Sequence, residues 1–306
     1  MKKGKYIWMD GKFVKWNDAK VHVLTHALHY GGSVYEGIRV YPVREGRKVV
    51  PTVFRLDDHL KRFIDSMKEI DMKPAYSIAQ LREVIVALVK KNKINDGYIR
   101  PIAFYGYERL GIYWDGLPVS VSIAAMPWGS YLPKEMKMKT SKWRRLSPKS
   151  VKIEAKVGGY YINSNYATSS VKGQADEALL LDHDGFVAEA ACANIFFVKG
   201  KTLSTPARGT ILPGFTRDTV IELARSLGFK VVEKKIRSSE IAKFDEAFTT
   251  GTATEVTAVV NIDNKKIGSG KMGEVTAVLK DGFTDLIYGK NLQMNKSHKK
   301  WFNKIY

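Results

Sequence analysis

The residue whose surroundings best suit covalent chemistry is Lys156. It lies in residues 153–161, IEAKVGGYY, among small and apolar residues and ahead of two glycines and two tyrosines. Because desolvation disfavours the ammonium form, a partly buried lysine gives up its proton more readily and can attack an aldehyde to form a Schiff base. Proteins hold pyridoxal phosphate through that linkage. The alternative is a solvated surface lysine, since the chain carries 50 Lys and Arg residues and few can be buried.

A bound pyridoxal phosphate would need a carboxylate partner, because its pyridine nitrogen must stay protonated if the ring is to accept electrons. Glu189 is the candidate, in the otherwise apolar run FVAEAA over residues 186–191. The alternative is a surface glutamate at the end of a strand, since an unpaired glutamate is almost never fully buried.

Two glycine-containing loops are candidates for binding the phosphate. Residues 212–216, LPGFT, precede an amphipathic helix, and helix N-termini bind anions through their backbone N–H groups. Gly251 and Thr252 form the second loop. Arg62, at the edge of the buried face of a predicted helix, would add a guanidinium, although an arginine on a helix face usually only extends to solvent.

The elements that position these residues follow from the hydrophobic pattern. Residues 6–16 predict a hairpin with an Asp-Gly turn. Apolar residues at helical spacing predict a helix over 56–70 with Asp57 as its cap, and a capping box begins a second helix at Ser77. Further strands of this half are predicted over residues 33–41, 97–105 and 119–126.

The second half of the chain is richer in predicted strands, which fall over residues 136–145, 178–181, 194–198, 231–232 and 247–249. Helices are predicted over 160–172, from Thr216 to Gly228 and over 271–287. Together the two halves predict an α+β fold. We expect a small α/β domain over residues 1–126, an interdomain loop over 127–135 and a large cofactor-binding domain over 136–306.

The composition limits the class of protein. The net charge of +19 favours acidic partners, but the basic residues are scattered, so we expect small anions rather than nucleic acid as ligands. A basic nucleic-acid-binding protein is the alternative from another class. The single Cys192 excludes an internal disulfide and a cysteine-built metal site. We expect no metal, no membrane span and a cytoplasmic location.

Six segments, in this order, resemble the branched-chain amino acid aminotransferases, which are class IV, fold-type IV pyridoxal-phosphate enzymes. The segments are residues 26–39 (HALHYGGSVYEGIR), 98–101 (YIRP), 127–129 (PWG), 156–159 (KVGG), 212–214 (LPG) and 251–253 (GTA). The resemblance implies a small α/β N-terminal domain, a larger strand-rich pseudo-barrel domain and a homodimer or larger homo-oligomer.

The resemblance also implies a role for each matching residue near the cofactor. Lys156 would form the Schiff base and carry the proton between the substrate and the cofactor. Glu189 would hold the pyridine nitrogen, and Tyr161 would bind the phenolic oxygen. The remaining cofactor-binding residues would be Arg62, Leu212, Phe215, Thr216, Gly251 and Thr252.

For the substrate, the resemblance places Tyr98 and the turn of Thr252 and Ala253 at the α-carboxylate, and Arg100 at the side-chain carboxylate of glutamate. The other substrate-binding residues would be Tyr30, Tyr35, Gly37, Trp128 and Tyr131, with Tyr131 reaching the active site of a neighbouring subunit.

The activity implied is transamination of L-leucine, L-isoleucine and L-valine with 2-oxoglutarate, giving branched-chain 2-oxo acids and L-glutamate. D-amino-acid aminotransferase and aminodeoxychorismate lyase of the same fold are the alternatives, and Tyr98 and Arg100 favour the branched-chain type. The chain departs from the usual family pattern at residues 190–194, AACAN, and at Tyr160.

Overall fold

The computed structural model of the protein describes residues 2–129 and 135–306. Its strands are β1 (Tyr6–Met9), β2 (Lys12–Lys15), β3 (Ser33–Tyr35), β4 (Ile38–Glu45), β5 (Lys48–Phe54), β6 (Gly97–Tyr105), β7 (Val119–Pro127), β8 (Glu135–Arg144), β9 (Glu177–Leu181), β10 (Val187–Ala190), β11 (Asn194–Lys199), β12 (Thr202–Thr205), β13 (Lys230–Glu233), β14 (Glu246–Gly251), β15 (Glu255–Ile262), β16 (Lys265–Lys266) and β17 (Phe302–Lys304). Its helices are α1 (His26–Tyr30), α2 (Leu56–Lys68), α3 (Ile78–Lys91), α4 (Tyr161–Val171), α5 (Phe215–Ser226), α6 (Glu274–Ile287) and α7 (Leu292–Ser297). The predicted α+β class is confirmed.

The first hairpin forms where the sequence predicts it. Strands β1 and β2 pair in antiparallel register across a turn of Asp10 and Gly11. Both turn residues have positive φ, 45° and 90°, as the favoured two-residue hairpin turn requires.

The first sheet has the strand order β17-β5-β4-β6-β7-β1-β2, and β3 also pairs with β6. Every pairing is antiparallel. Its core combines sheet residues such as Ile99 and Ile123 with Leu60 and Phe63 of α2 and Ile85 of α3. The helical spacing of the apolar residues therefore turns one face of each helix into this core.

The two helices of this region begin differently. Ser77 caps α3 through a capping box, in which its hydroxyl accepts from Gln80 N and the Gln80 side chain accepts from Ser77 N. The predicted cap of α2 is wrong. Its N-cap is Arg55, which has a left-handed φ of 54°, and the Asp57 carboxylate accepts from Arg82 on α3 instead.

The basic C-terminal segment packs on the first sheet. Strand β17 pairs with β5, and Trp301 and Ile305 are buried. The Arg55 guanidinium lies 4.7 Å from the centre of a Trp301 ring, and Arg55 N donates to Trp301 O. The apolar residues of the segment are therefore anchored to the sheet although its lysines are exposed.

The second sheet has the order β10-β9-β8-β15-β14-β11-β12-β13, with β16 on β15. Three of its pairings are parallel, β8 with β9, β8 with β15 and β12 with β13. Val187 N at one edge donates to Ile236 O just beyond the other edge strand (2.8 Å), and Phe186 forms a bridge with Arg237. These links curl the sheet toward closure, as the implied pseudo-barrel requires.

The chain divides into two compact units. The first contains Met1–Ser130, Ala155–Tyr160 and Ile287–Tyr306, and the second contains Tyr131–Glu154 and Tyr161–Leu286. The division differs from the predicted one because β17 adds to the first sheet and residues 155–160 run beside β3. Residues 130–134 of the predicted loop lie outside the described residues. The predicted domain boundaries stay a prediction.

No helix within the described residues combines the length and the apolar composition that crossing a lipid bilayer demands.

Candidate functional site

Lys156 belongs to the first unit, where its backbone is held on both sides. Lys156 N donates to the Ser66 hydroxyl on α2 (3.0 Å), and Lys156 O accepts from Tyr35 N (3.1 Å). The next residue, Val157, forms a bridge with Val34 of β3. The Lys156 Nζ lies 5.0 Å from the centre of the Tyr35 ring. The half-buried Lys156 thus extends from a backbone that is hydrogen-bonded on both sides.

The two glycines after Lys156 allow the chain to run close to the segment before β3. A side chain on Gly158 would collide with the Ser33 hydroxyl, and one on Gly159 would lie 2.9 Å from Gly31 O. Close backbone approach is a common reason for glycine in such a position. The glycines therefore help to fix Lys156.

Beside Lys156 in the same unit lies a group of predicted substrate residues. Arg100 donates to the Tyr98 hydroxyl (3.2 Å) and lies 4.6 Å from the centre of the Tyr35 ring. The Tyr98 and Trp128 rings have centroids 4.9 Å apart. A side chain on Gly37 would collide with the Tyr98 hydroxyl. The structure therefore brings five predicted substrate residues together.

Arg100 differs from the buried arginines of the protein in its partners. Over residues 2–129 and 135–306 it forms no ion pair with a carboxylate. Its positive charge instead faces aromatic rings and a neutral hydroxyl, where an incoming carboxylate would gain a charge-assisted hydrogen bond.

Two other predicted substrate residues are Tyr30 and Tyr131. The Tyr30 hydroxyl accepts from Gly111 N (3.1 Å), and the ring of Tyr30 lies against His26. Tyr131 lies outside the described residues. The roles of both residues stay predictions.

The predicted phosphate ligand Arg62 is held by a buried carboxylate. Glu36 accepts from Arg62 Nε (2.6 Å) and Nη2 (3.0 Å), and from His59 Nδ1 (2.7 Å). His59 and Arg62 lie one turn apart on α2, and Glu36 is fully buried between β3 and β4. The bidentate pairing fixes the guanidinium in one orientation.

The charges in this cluster are set by burial and by pairing. Burial alone would raise the pKa of Glu36, but Arg62 and His59 outweigh it and hold that pKa well below its usual value. Burial lowers the pKa of His59 more than Glu36 raises it. Glu36 is therefore ionised and His59 is neutral at pH 7, with the His59 Nδ1–H donated to Glu36.

In the second unit, the predicted carboxylate Glu189 is buried on β10. It accepts from Arg145 Nε (2.7 Å), from Asn194 Nδ2 (2.9 Å) and from Leu212 N (3.3 Å). These donors come from three segments of the unit and hold the carboxylate in one orientation.

Asn194 joins Glu189 to both predicted phosphate loops. Besides binding Glu189, Asn194 Nδ2 donates to Leu212 O (2.9 Å), and a side chain on Gly214 would collide with Asn194 Oδ1. Asn194 also pairs with Thr250, the residue before Gly251. The two loops are therefore neighbours within this unit.

The loops present groups that suit a phosphate. Phe215 and Thr216 open the 12-residue helix α5, whose N-cap, Gly214, has no capping side chain. Thr252 and Ala253 form the turn between β14 and β15. The buried hydroxyls of Thr250 and Thr254, on either side of this turn, have no hydrogen-bond partner in the described chain. The N–H groups at a helix N-terminus and buried hydroxyls are donors that an anion would use.

Tyr161 is the first residue of α4, and that end of α4 is anchored near Glu189. Asn163 donates to Arg144 O (2.9 Å), and Ser164 donates to Ala191 O (2.6 Å). Tyr161 therefore lies at the end of α4 that is tied to the chain flanking Arg145 and Glu189.

The functional groups described in the two units are those that suit the cofactor implied by the resemblance. The first unit provides a half-buried amine and a fixed arginine, and the second provides a buried carboxylate, a tyrosine and two anion-suited loops. Pyridoxal phosphate requires these functional groups.

A comparison with protein families gives the same class. The sequence profile described as Amino-transferase class IV matches residues 33–262 of the chain. The chain belongs to the class IV aminotransferases. This class IV aminotransferase is 42% identical over 301 residues to the branched-chain-amino-acid aminotransferase of Pseudomonas aeruginosa, covering 96% of this chain and 95% of that one. It is 39% identical to the enzyme of the same name from Escherichia coli K12, covering 94% and 95%.

Solved structures agree in fold. The T.th. branched-chain amino acid aminotransferase with pyridoxamine 5'-phosphate matches with a TM-score of 0.94 and 38% identity over 100% of both chains. The Escherichia coli branched-chain amino acid aminotransferase matches with a TM-score of 0.94 and 36% identity, over 99% of this chain and all of that one. The predicted fold-type IV class and the resemblance are confirmed.

The sequence reasoning missed several residues of this class IV aminotransferase. Glu36 and His59 were given no role, although His59 and Arg62 are three residues apart on a helix and must share a face. A glutamate in an apolar extended stretch was a second signal. Arg145 and Asn194 carried no signal, because their pairing with Glu189 depends on three separate segments.

The departure at residues 190–194 forms a tight turn. Ala190 N donates to Ala193 O (2.8 Å), and the exposed Cys192 lies 3.1 Å from the Glu177 carboxylate. Burial raises the pKa of Glu177. The changed residues therefore shape the turn that leads from Glu189 to Asn194.

Proposed function

We propose that this class IV aminotransferase transfers the amino group of L-leucine, L-isoleucine and L-valine to 2-oxoglutarate, with pyridoxal 5'-phosphate as cofactor. The products are branched-chain 2-oxo acids and L-glutamate. The observation that carries the proposal is Arg100, which is set among the Tyr35, Tyr98 and Trp128 group of aromatic residues without a carboxylate partner in the described chain.

This arrangement suits two kinds of side chain in one place. Aromatic rings pack against the aliphatic side chains of the donors, and an apolar pocket discriminates weakly between them. Arg100 binds the γ-carboxylate of glutamate or 2-oxoglutarate. Solved relatives support binding of both kinds of side chain, since structures of the T.th. enzyme are described with N-(5'-phosphopyridoxyl)-L-glutamate and with 4-methylvaleric acid.

Lys156 is the catalytic base. When bound, pyridoxal phosphate supplies an electron sink for the electron pair of the substrate Cα–H bond. The Lys156 amine would hold the cofactor through its aldehyde in the resting enzyme and would carry the proton from the substrate Cα during transfer. The hydrogen bonds of its backbone to Ser66 and Tyr35 fix the point of the chain from which this side chain extends.

The residues of the second unit act on the other groups of the cofactor. Glu189 would keep the pyridine nitrogen protonated, and Tyr161 would donate to the phenolic oxygen. The start of α5 and the Gly251-Thr252 turn bind the phosphate, to which Arg62 of the first unit contributes a fixed positive charge. Tyr98 and the Thr252-Ala253 turn bind the substrate α-carboxylate.

The test is the visible absorption spectrum of the purified holoenzyme before and after addition of L-leucine without an acceptor. We expect a yellow protein that loses its colour on L-leucine and regains it on 2-oxoglutarate. D-alanine should leave the spectrum unchanged. A protein that stays colourless after incubation with pyridoxal phosphate would contradict the proposal.

Replacement of Lys156 gives the largest effect of any single substitution. Lys156→Ala removes both the attachment and the proton carrier, so we expect turnover to fall at least about 10⁴-fold. Lys149→Ala, at an exposed lysine nearby in sequence, serves as the control and should keep full activity. Full activity of Lys156→Ala would exclude the mechanism.

We also propose that the protein is a cytoplasmic homo-oligomer. Val23, Leu28, Ile112 and Tyr113 are 63–81% exposed on two segments of the first unit, and exposed apolar patches of this kind are typical of association surfaces. Hydrogen bonds of His26 and Tyr30 with the backbone of Gly111 join the two segments. Analytical ultracentrifugation of the holoenzyme tests the state, and a monomer at micromolar concentration would contradict it.

A further inference from the structure

A second anion-binding site is suggested by a cavity of about 380 Å³ in the first unit, where the C-terminal segment packs on the first sheet. Its walls are the end of β4, the middle of β5, helix α7 and β17. The cavity is lined by Arg44, Lys296, Lys299 and Lys304, among other residues. Four cationic side chains therefore surround one concave surface.

The positive charge of this cavity is largely uncompensated. Among the described residues, Glu45 is the one carboxylate that lines it, and Glu45 already forms an ion pair with Lys304. Arg44, Lys296 and Lys299 form no ion pair within the described residues. About three positive charges are thus free to act on one ligand, and like charges held close together favour binding of a multivalent anion.

We propose that this cavity binds a small anion that carries an oligophosphate chain. The volume falls within the range of pockets that hold small ligands, about 300–1,000 Å³, and is too small for a folded partner. Arginine and lysine are the side chains that bind phosphate oxygens. The Phe302 ring in the wall offers a surface for an attached nucleoside.

The site has a structural consequence for the C-terminal segment. Lys296, Lys299 and Lys304 belong to residues 287–306, whereas Arg44 belongs to the hairpin of β4 and β5. An anion held by both sides would relieve the repulsion between them and strengthen the docking of the segment. The proposal does not depend on the transamination reaction.

The test uses the holoenzyme with saturating pyridoxal phosphate, so that the cofactor phosphate site is filled. Binding of inorganic tripolyphosphate and of ATP is measured by isothermal titration calorimetry at low ionic strength. We expect both to bind, with affinity that falls as salt is added. Tighter binding of ATP would assign the ligand to nucleotides, and equal affinity would assign it to the phosphate chain alone. No binding of either probe would overturn the proposal.

A matched pair of triple variants distinguishes binding in the cavity from a general effect of the net charge. Arg44→Gln/Lys296→Gln/Lys299→Gln should weaken tripolyphosphate binding at least about tenfold, as expected from the loss of three ion pairs. Lys12→Gln/Lys73→Gln/Lys90→Gln removes the same charge from exposed positions elsewhere in the unit and should change affinity less than about twofold. Equal losses of affinity in the two variants would mean that binding depends on net charge alone, which would overturn the proposal. Tight binding of single-stranded RNA without binding of tripolyphosphate would also overturn it.

Discussion

Each unit of the protein contains a buried carboxylate that binds an arginine, but the two carboxylates are built differently. Glu36 in the first unit has no exposed surface, and its side-chain partners His59 and Arg62 come from one helix. Glu189 in the second unit is bound by Arg145, Asn194 and Leu212 N from three separate segments. We propose that Glu36 serves to fix an arginine, whereas Glu189 is itself a cofactor-binding group.

Substitution of Glu189 tests this difference most strongly. Glu189→Gln leaves a neutral amide that cannot keep the pyridine nitrogen protonated, so we expect kcat at saturating cofactor to fall about 10²–10³-fold. The substitution also leaves Arg145 without its carboxylate, so the free energy of unfolding should fall by about 3 kcal/mol. Steady-state kinetics and urea unfolding measure the two effects. An unchanged kcat would contradict the role of Glu189.

Substitution of Glu36 should separate stability from chemistry. Glu36→Gln leaves the charge of the partly buried Arg62 uncompensated, so we expect the free energy of unfolding to fall by about 3 kcal/mol and the cofactor to bind about tenfold more weakly. At saturating cofactor, kcat should stay within about threefold of the original enzyme.

Glu177→Gln provides the matched control for Glu36. Glu177 is a partly buried carboxylate that forms no ion pair within the described residues, and burial raises its pKa. Its neutralisation should therefore lower the free energy of unfolding by less than about 1 kcal/mol. If Glu36→Gln reduced kcat as much as Glu189→Gln does, the two carboxylates would not differ as proposed.

Arg100 sharpens the comparison because, among the residues the structure describes, it lacks the carboxylate that Arg62 and Arg145 have. Arg100→Met keeps the length of the side chain and removes the charge-assisted hydrogen bond to the substrate γ-carboxylate, so KM for 2-oxoglutarate should rise about 10–100-fold. KM for L-leucine should change less than about threefold, because its side chain carries no charge. Equal increases for both substrates would assign Arg100 to the α-carboxylate or to structure.

The neutral state of His59 predicts a smaller, pH-dependent effect. The pKa of His59 is lowered in the folded protein. Below the ordinary value of 6.5, the unfolded chain therefore binds a proton that the folded protein does not, and the free energy of unfolding decreases as the pH is lowered. The same sign applies to Glu36 below its ordinary value of 4.5. Urea unfolding at about pH 7.5 and about pH 5.5 should show a smaller difference for His59→Gln than for the original protein.

The exposed His22 provides the control for this measurement. His22→Gln should leave the difference in unfolding free energy between the two pH values unchanged. If His59→Gln and His22→Gln behaved alike, the buried pair of Glu36 and His59 would not be the source of the pH dependence.

Local elements were determined by the sequence alone. The Asp10-Gly11 hairpin, the capping box of α3 and the amphipathic helices depend on residues close together in the chain, and each was predicted from its pattern. The family was also readable from sequence, because Lys156 and the glycine-containing loops lie in short ordered segments. Glu189 was also identified as a candidate from its local sequence, because a single glutamate in an otherwise apolar strand is unusual.

The tertiary structure alone decided which residues these groups meet. Arg145, Asn194 and Leu212 reach Glu189 from segments up to 67 positions apart in the chain, and Glu36 reaches His59 and Arg62 across β4 and β5. The C-terminal segment likewise packs on β5, more than two hundred residues before it. Such pairings depend on how sheets bring distant strands together, and no local pattern of side chains records that proximity.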